Sequence, residues 1–205
     1  DYPPLFNSAN LSIRSFVNKG QEKVIGSRDG LFYINEATGV VKSFVKPVLT
    51  SDLILTICFY QGEYYIGTYG GGMMVLNPET LSLKYFAQGD TELFQKGHIF
   101  CVKPDAKGNL WIGTSQGLFS YNGQTKQIKS FTSANSQLPE GNVYEVSFDS
   151  TGKGWIATET GMCIYDPASQ SLRSNVFPEG FVNKDKVRTI CLLYTSPSPR
   201  DGLLS

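Results

Sequence analysis

A repeat of roughly 44 residues constrains this chain more than any single residue in it. Four segments align: KVIGSRDGLFYIN (23–35), YYIGTYGGGMMVLN (64–77), LWIGTSQGLFSYN (110–122) and GWIATETGMCIYD (154–166). Each passes from a bulky residue through Ile, a small residue, a hydroxyl residue and a Gly-bearing turn into an apolar run ending in Asn or Asp. The small residue stands at Gly26, Gly67, Gly113 and Ala157, in steps of 41, 46 and 44. An apolar pair three apart precedes each copy: Ile13/Phe16, Ile54/Ile57, Ile99/Val102 and Val143/Val146. Val187/Ile190 opens a fifth, and the pairs step by 41, 45, 44 and 44. Two independent markers holding one period define a chain of equivalent, stacked units.

Within a unit the pattern is that of strands. In the third copy, HIFCVKP (98–104), LWIGTS (110–115), LFSYN (118–122) and QIKSF (127–131) are each rich in β-formers and bounded by Gly, Asn, Asp or Pro. Asp105 to Gly108 and Asp149 to Gly152 predict tight turns, the carboxylate bonding its own downstream backbone and Gly taking the positive φ. No 3.6-residue periodicity accompanies the repeat, so helical repeats are excluded. Four antiparallel strands per repeat make a β-propeller blade. The expected fold is therefore all-β: an open arc of about four four-stranded blades, cut from a larger ring, with repeats starting near 11, 52, 97 and 141 and a truncated fifth near 185. Trp111 and Trp155 are expected to wedge between neighbouring blades. The small residues Gly26, Gly67, Gly113 and Ala157 are expected to permit close backbone approach.

The third copy resembles the two-component regulator propeller repeat, V-x-x-I-x-x-D-x-x-G-x-L-W-I-G-T-x-x-G-L. It matches from Ile99 and Val102 through Asp105, Gly108, Leu110 to Thr114, Gly117 and Leu118. The fourth follows with Val143, Val146, Asp149, Gly152, Trp155, Ile156 and Thr158, departing at Ala157 and Met162. The first two are degenerate, with Val24 and Tyr65 in the Trp position. The resemblance covers about 11 to 190. It implies paired seven-bladed propellers in the periplasmic part of an inner-membrane hybrid regulator, a homodimer that reads a glycan or oligosaccharide and signals to a histidine kinase. The further blades of the ring are then partners in the same chain. Two other readings stay open: a piece of a propeller lyase or hydrolase, and a protein-interaction scaffold.

In a blade of this strand order, the loop entering the first strand and the loop between the second and third share one face. The entries carry Asp52, His98, Asn142 and Asp185, and the second set carries Arg28, Asp29, Tyr69, Gln116 and Glu159. Polar and aromatic residues varied on a constant scaffold suit a hydroxyl-rich ligand. From these the ligand-binding candidates are Arg28, Asp29, Tyr69, His98, Gln116, Asn142 and Glu159. No catalytic residue, metal or cofactor is expected. His98 is the single histidine, which excludes a two-His mechanism or a His-based metal cluster within this sequence. Asp29 and Glu159 share a face but lie three blades apart, too remote for a glycosidase pair. Lys plus Arg and Asp plus Glu both number 18, so no basic field marks a nucleic-acid surface. Cys58, Cys101, Cys163 and Cys191 lack metal spacing and sit in apolar runs, which predicts buried free thiols.

The period breaks after Ile190. An Asp is due near 193 and a Trp-Ile-Gly-Thr near 199 to 202, but the chain reads CLLYTSPSPRD and then GLLS. CLLYTSPSPRD resembles one reading frame of a transposase sequencing adaptor. The expectation is an incomplete propeller over 1–190 and a non-native tail over 191–205.

Overall fold

The computed structural model describes residues 12–86, 91–174 and 187–190. Asp185, Cys191 and the tail 191–205 lie outside the described residues.

Sixteen strands form four separate antiparallel sheets, each a four-stranded meander in sequence order. The first blade holds β1 (Ile13–Lys19), β2 (Glu22–Ser27), β3 (Leu31–Asn35) and β4 (Val40–Phe44). The second holds β5 (Ile54–Tyr60), β6 (Glu63–Thr68), β7 (Met73–Leu76) and β8 (Leu83–Tyr85). The third holds β9 (Ile99–Pro104), β10 (Asn109–Thr114), β11 (Gly117–Asn122) and β12 (Ile128–Phe131). The fourth holds β13 (Val143–Phe148), β14 (Gly154–Thr158), β15 (Gly161–Asp166) and β16 (Ser171–Ser174). The arc is open, as the repeat count predicts, and the first strands of successive blades touch in order along its inner side.

The apolar residues pack between blades rather than within them. One cluster joins Val24, Leu31 and Tyr33 of the first blade to Ile54, Tyr64 and Leu76 of the second. A second joins Tyr65 and Val75 to Ile99, Leu110 and Ile112, and a third joins Cys101, Trp111 and Phe131 to Val143, Ile156 and Cys163. Trp111 is 1 % exposed, stacked 5.6 Å from Phe131 and tilted against Tyr165 of the next blade at 4.5 Å, the wedge its position implies. Trp155 is only half-buried.

The small residues Gly26, Gly67 and Gly113 each receive the first residue of the next blade. A Cβ on Gly26 would stand 2.4 Å from Ile54, one on Gly67 2.7 Å from Ile99, and one on Gly113 2.7 Å from the Val143 carbonyl. Two residues later in the first strands of the first and second blades a small polar side chain reaches forward. Ser15 Oγ accepts the Ile57 N–H at 2.9 Å and Thr56 Oγ1 accepts the Val102 N–H at 3.3 Å.

One element departs from the expected pattern. The connection between the second and third blades contains α1 (Thr91–Lys96), six residues, too short to show helical periodicity. Leu93 and Phe94 are buried, and Phe94 meets Phe86 at 5.0 Å and Phe119 at 5.4 Å. The helix rests on the Gly70-Gly71-Gly72 turn. Gly72 donates its N–H to Gly97 O at 2.9 Å, and a Cβ on Gly72 would lie 1.9 Å from Phe94 O. The glycine run is therefore a seat for backbone.

Candidate functional site

The face carrying the predicted loops is assembled by a backbone bond repeated in every blade. The loop after the second strand donates an N–H to the carbonyl just before the first: Arg28 to Ser12, Tyr69 to Leu53, Ser115 to His98 and Glu159 to Asn142, at 2.9–3.2 Å. The two loop sets thus lie side by side on one face. The motif hydroxyl closes the same turn from inside. Ser27, Thr68, Thr114 and Thr158 are wholly buried, and each donates to a glycine carbonyl, that of Gly30, Gly72, Gly117 or Gly161, at 2.8–3.1 Å.

On this face the first strands carry a β-bulge at one recurring place, between Ile13 and Ser15, Ile54 and Thr56, Ile99 and Cys101, and Val143 and Glu145. A bulge leaves one residue outside the ladder and re-aims its side chain. Those residues are Arg14, Leu55, Phe100 and Tyr144. Phe100 and Tyr144 meet edge to face at 5.2 Å across the blade boundary, and the Arg188 guanidinium lies 5.1 Å over the Tyr144 ring.

Four of the predicted residues join this row. Tyr69, 50 % exposed, stacks on His98 at 4.0 Å and 23°, and His98 in turn stands 6.1 Å from Phe100. The His98 Nδ1 is buried without a hydrogen-bond partner among the described residues, so stacking and packing hold the imidazole. Asn142 Nδ2 donates to Glu159 Oε2 at 2.9 Å and to the Tyr144 hydroxyl at 3.2 Å. The result is a band of rings bordered by a fixed amide–carboxylate pair.

The remaining candidates lie apart from this band. Arg28 and Asp29 are exposed in the first blade, the Asp29 N–H held by Ser27 Oγ at 3.0 Å. Gln116 is exposed and lines a separate recess of about 280 Å³ with Pro139, Glu140 and Gly141. Asp52 turns back to accept the Lys46 N–H at 2.7 Å, a loop-forming role. Sequence reasoning missed Phe100, Tyr144 and Arg188. Their signal was present, because each occupies the position after the first apolar marker, but the bulge that re-aims Phe100 and Tyr144 leaves no trace in sequence.

The opposite end of the blades is structural. Asp105 Oδ1 accepts the Lys107 and Asn109 N–H groups at 2.9 and 2.8 Å, while Oδ2 accepts the Trp111 indole N–H at 2.9 Å. Asp149 repeats this with Thr151, Lys153 and, at 3.1 Å, the Trp155 indole. Among the described residues no group of His, Cys, Asp and Glu could hold a metal ion. Cys58, Cys101 and Cys163 are buried free thiols. Burial pushes Cys58 up to about 11 and the other two up to about 12, which removes them as nucleophiles.

The fold and this face define an open arc of propeller blades with a ring-lined loop surface. Residues 94–116, which span the third blade's opening strands, match the family described as two component regulator propeller, so the chain carries a repeat of that family. It is similar to the extracellular domain of the putative hybrid two component system BT3049 from B. thetaiotaomicron. That likeness has 25% identity and a TM-score of 0.67, over 79% of this chain and 22% of that one. The extracellular domain of BT4673 from the same organism superposes with TM-score 0.68 at 19% identity, over 86% of this chain and 23% of that one. The computationally designed Ika4 protein shares the fold with TM-score 0.57 at 14% identity, covering 78% of this chain and 93% of that chain. The chain thus spans under a quarter of the two extracellular domains it is similar to. No curated protein matches it in sequence. No helix among the described residues is long and apolar enough to cross a membrane.

Proposed function

We propose that this chain is part of the periplasmic sensor of a hybrid two-component system, and that its loop face binds a glycan or oligosaccharide. The observation that carries the reading is the convergence of Tyr69, His98, Phe100 and Tyr144 beside the Asn142–Glu159 pair. Aromatic faces accept the C–H surfaces of a sugar ring. An amide and a carboxylate supply the donors and acceptors its hydroxyls need. The half-exposed Tyr69 ring is placed to be the first contact. Ligand binding would shift paired propellers in a homodimer and so pass a signal to a histidine kinase in the same polypeptide. Likeness to the BT3049 extracellular domain supports that context.

Titration calorimetry of the chain against neutral oligosaccharide pools tests the ligand. Binding is expected, weakened at least about tenfold, or 1.4 kcal/mol, in Tyr69→Ala and Asn142→Ala at unchanged melting temperature. Equal affinity in wild type and both variants, or no saccharide binding, rejects the reading.

A further inference from the structure

The boundary between the third and fourth blades holds a second opening, at the outer rim and away from the loop face. Two adjoining cavities of about 490 and 450 Å³ share Lys129, Phe131 and Gln170 and run along β12 and β16 for the height of the blade. Each has the size of a small-molecule site. Beneath the opening lie Trp111 and Phe131, both almost wholly buried, and the half-buried Tyr165. The rim carries the cations Lys107, Lys129 and Arg173, all exposed, and the exposed amides of Gln127 and Gln170. No carboxylate lines either cavity among the described residues.

That charge bias results from how two repeat positions vary. A cation stands on every outermost strand, at Lys42, Lys84, Lys129 and Arg173. The position opposite, at the start of the second strand, reads Glu22, Glu63, Asn109 and Lys153. In the second blade the two meet, Lys84 Nζ bonding Glu63 at 2.7 Å. In the third and fourth that carboxylate is replaced, first by an amide and then by a further cation. Two acids remain in the neighbourhood. Asp105 is held by the Asn109 amide and the Trp111 indole beneath the floor, and Asp166 lies near Arg173.

We propose that this inter-blade cleft is a binding site for an acidic saccharide, carboxylated or sulfated. Lys107 and Lys129, with Arg173 partly offset by Asp166, leave a net positive rim that selects an anion and raises its local concentration. Side-chain amides, each both donor and acceptor, suit hydroxyls. Of the three lining rings, the half-buried Tyr165 is the one open to a sugar face. The inference concerns a surface separate from the loop face and stands or falls independently of the ligand proposed there.

Calorimetric titration of the full chain with a tetragalacturonate, a sulfated heparin-type tetrasaccharide, maltotetraose and a hexaglutamate peptide tests it. At least one acidic saccharide is expected to bind, more weakly as salt rises, and maltotetraose to leave the cleft empty. Which of the two acidic probes binds separates carboxylate from sulfate recognition. The double substitution Lys129→Glu with Arg173→Gln should lower that affinity at least tenfold, whereas Lys42→Glu, the equivalent position in the first blade, should leave it unchanged. Both sets of side chains are exposed, so melting temperatures should match wild type. Failure of both acidic saccharides, equal loss with Lys42→Glu, undiminished binding in the double variant, or tighter binding of hexaglutamate would each overturn the proposal.

Discussion

Asp149 shows how much one motif residue does. Its carboxylate accepts from the Thr151 hydroxyl at 2.6 Å, two backbone N–H groups and the Trp155 indole. The Thr151 hydroxyl bond, with those from the indole and backbone, holds its pKa below the usual carboxylate value against the opposing effect of burial. Because the folded pKa lies below the unfolded one, the carboxylate's contribution is complete above the unfolded value, near pH 4, and is lost as pH falls through the folded value. Melting curves of wild type and Asp149→Asn from about pH 6 down to about pH 3 should therefore converge as the pH drops. A gap that stays constant across that range would contradict the assignment. The turn itself was legible, since Asp and Gly three positions apart state a backbone geometry. The indole bond was not, because sequence spacing does not say toward which atom a second carboxylate oxygen points.

At the scale of elements, strands and turns were readable because β-formers and turn residues recur with the period. In the third blade the observed strands fall within a residue of those expected. Two local devices were hidden. The bulge in each first strand leaves residue types unchanged and alters only register, so Phe100 and Tyr144 gave no sign of their exposure. The helix α1 is shorter than two turns, and its seat is read only when the Gly72 contact is seen. Gly72→Ala should destabilise the chain by roughly 2 kcal/mol or more, since the new Cβ meets backbone that cannot give way. Gly108→Ala, at φ 79° with nothing within 4 Å, should cost about 1 kcal/mol of backbone strain alone. Denaturant midpoints measured on both decide it. Equal losses would mean that α1 does not rest on the glycine run as described.

For the whole molecule, the arc ends in surfaces built for stacking. Ile13 and Phe16 are 57 % and 54 % exposed, whereas Ile54 and Ile57 at the same positions are 0 % and 7 %. In the second blade this pair is buried on the first blade's Gly26, whereas in the first blade it is exposed. An exposed pair of this kind next to an unpaired blade face promotes association. The chain alone should self-associate with rising concentration in light scattering, and Ile13→Ser with Phe16→Ser should suppress it. A wild-type chain that stays monomeric throughout would contradict this. The period made the arc legible in advance, and the shared loop face followed from strand order. Which loops converge did not follow, because ring contacts across a blade boundary depend on twist and bulge. Arg28, Asp29 and Gln116 lie on the shared loop face but outside the band.

The central claim is that the band from Tyr69 to Tyr144 is a ligand face. Hydrogen–deuterium exchange with and without the saccharide pool that gives calorimetric heat tests it most directly. Slower exchange is expected at Tyr69 to Gly71, at His98 to Phe100, at Asn142 to Tyr144 and at Glu159, with the Asp105 and Asp149 turns at the opposite end unchanged. Protection confined to those turns, or spread evenly over all four blades, would contradict the account.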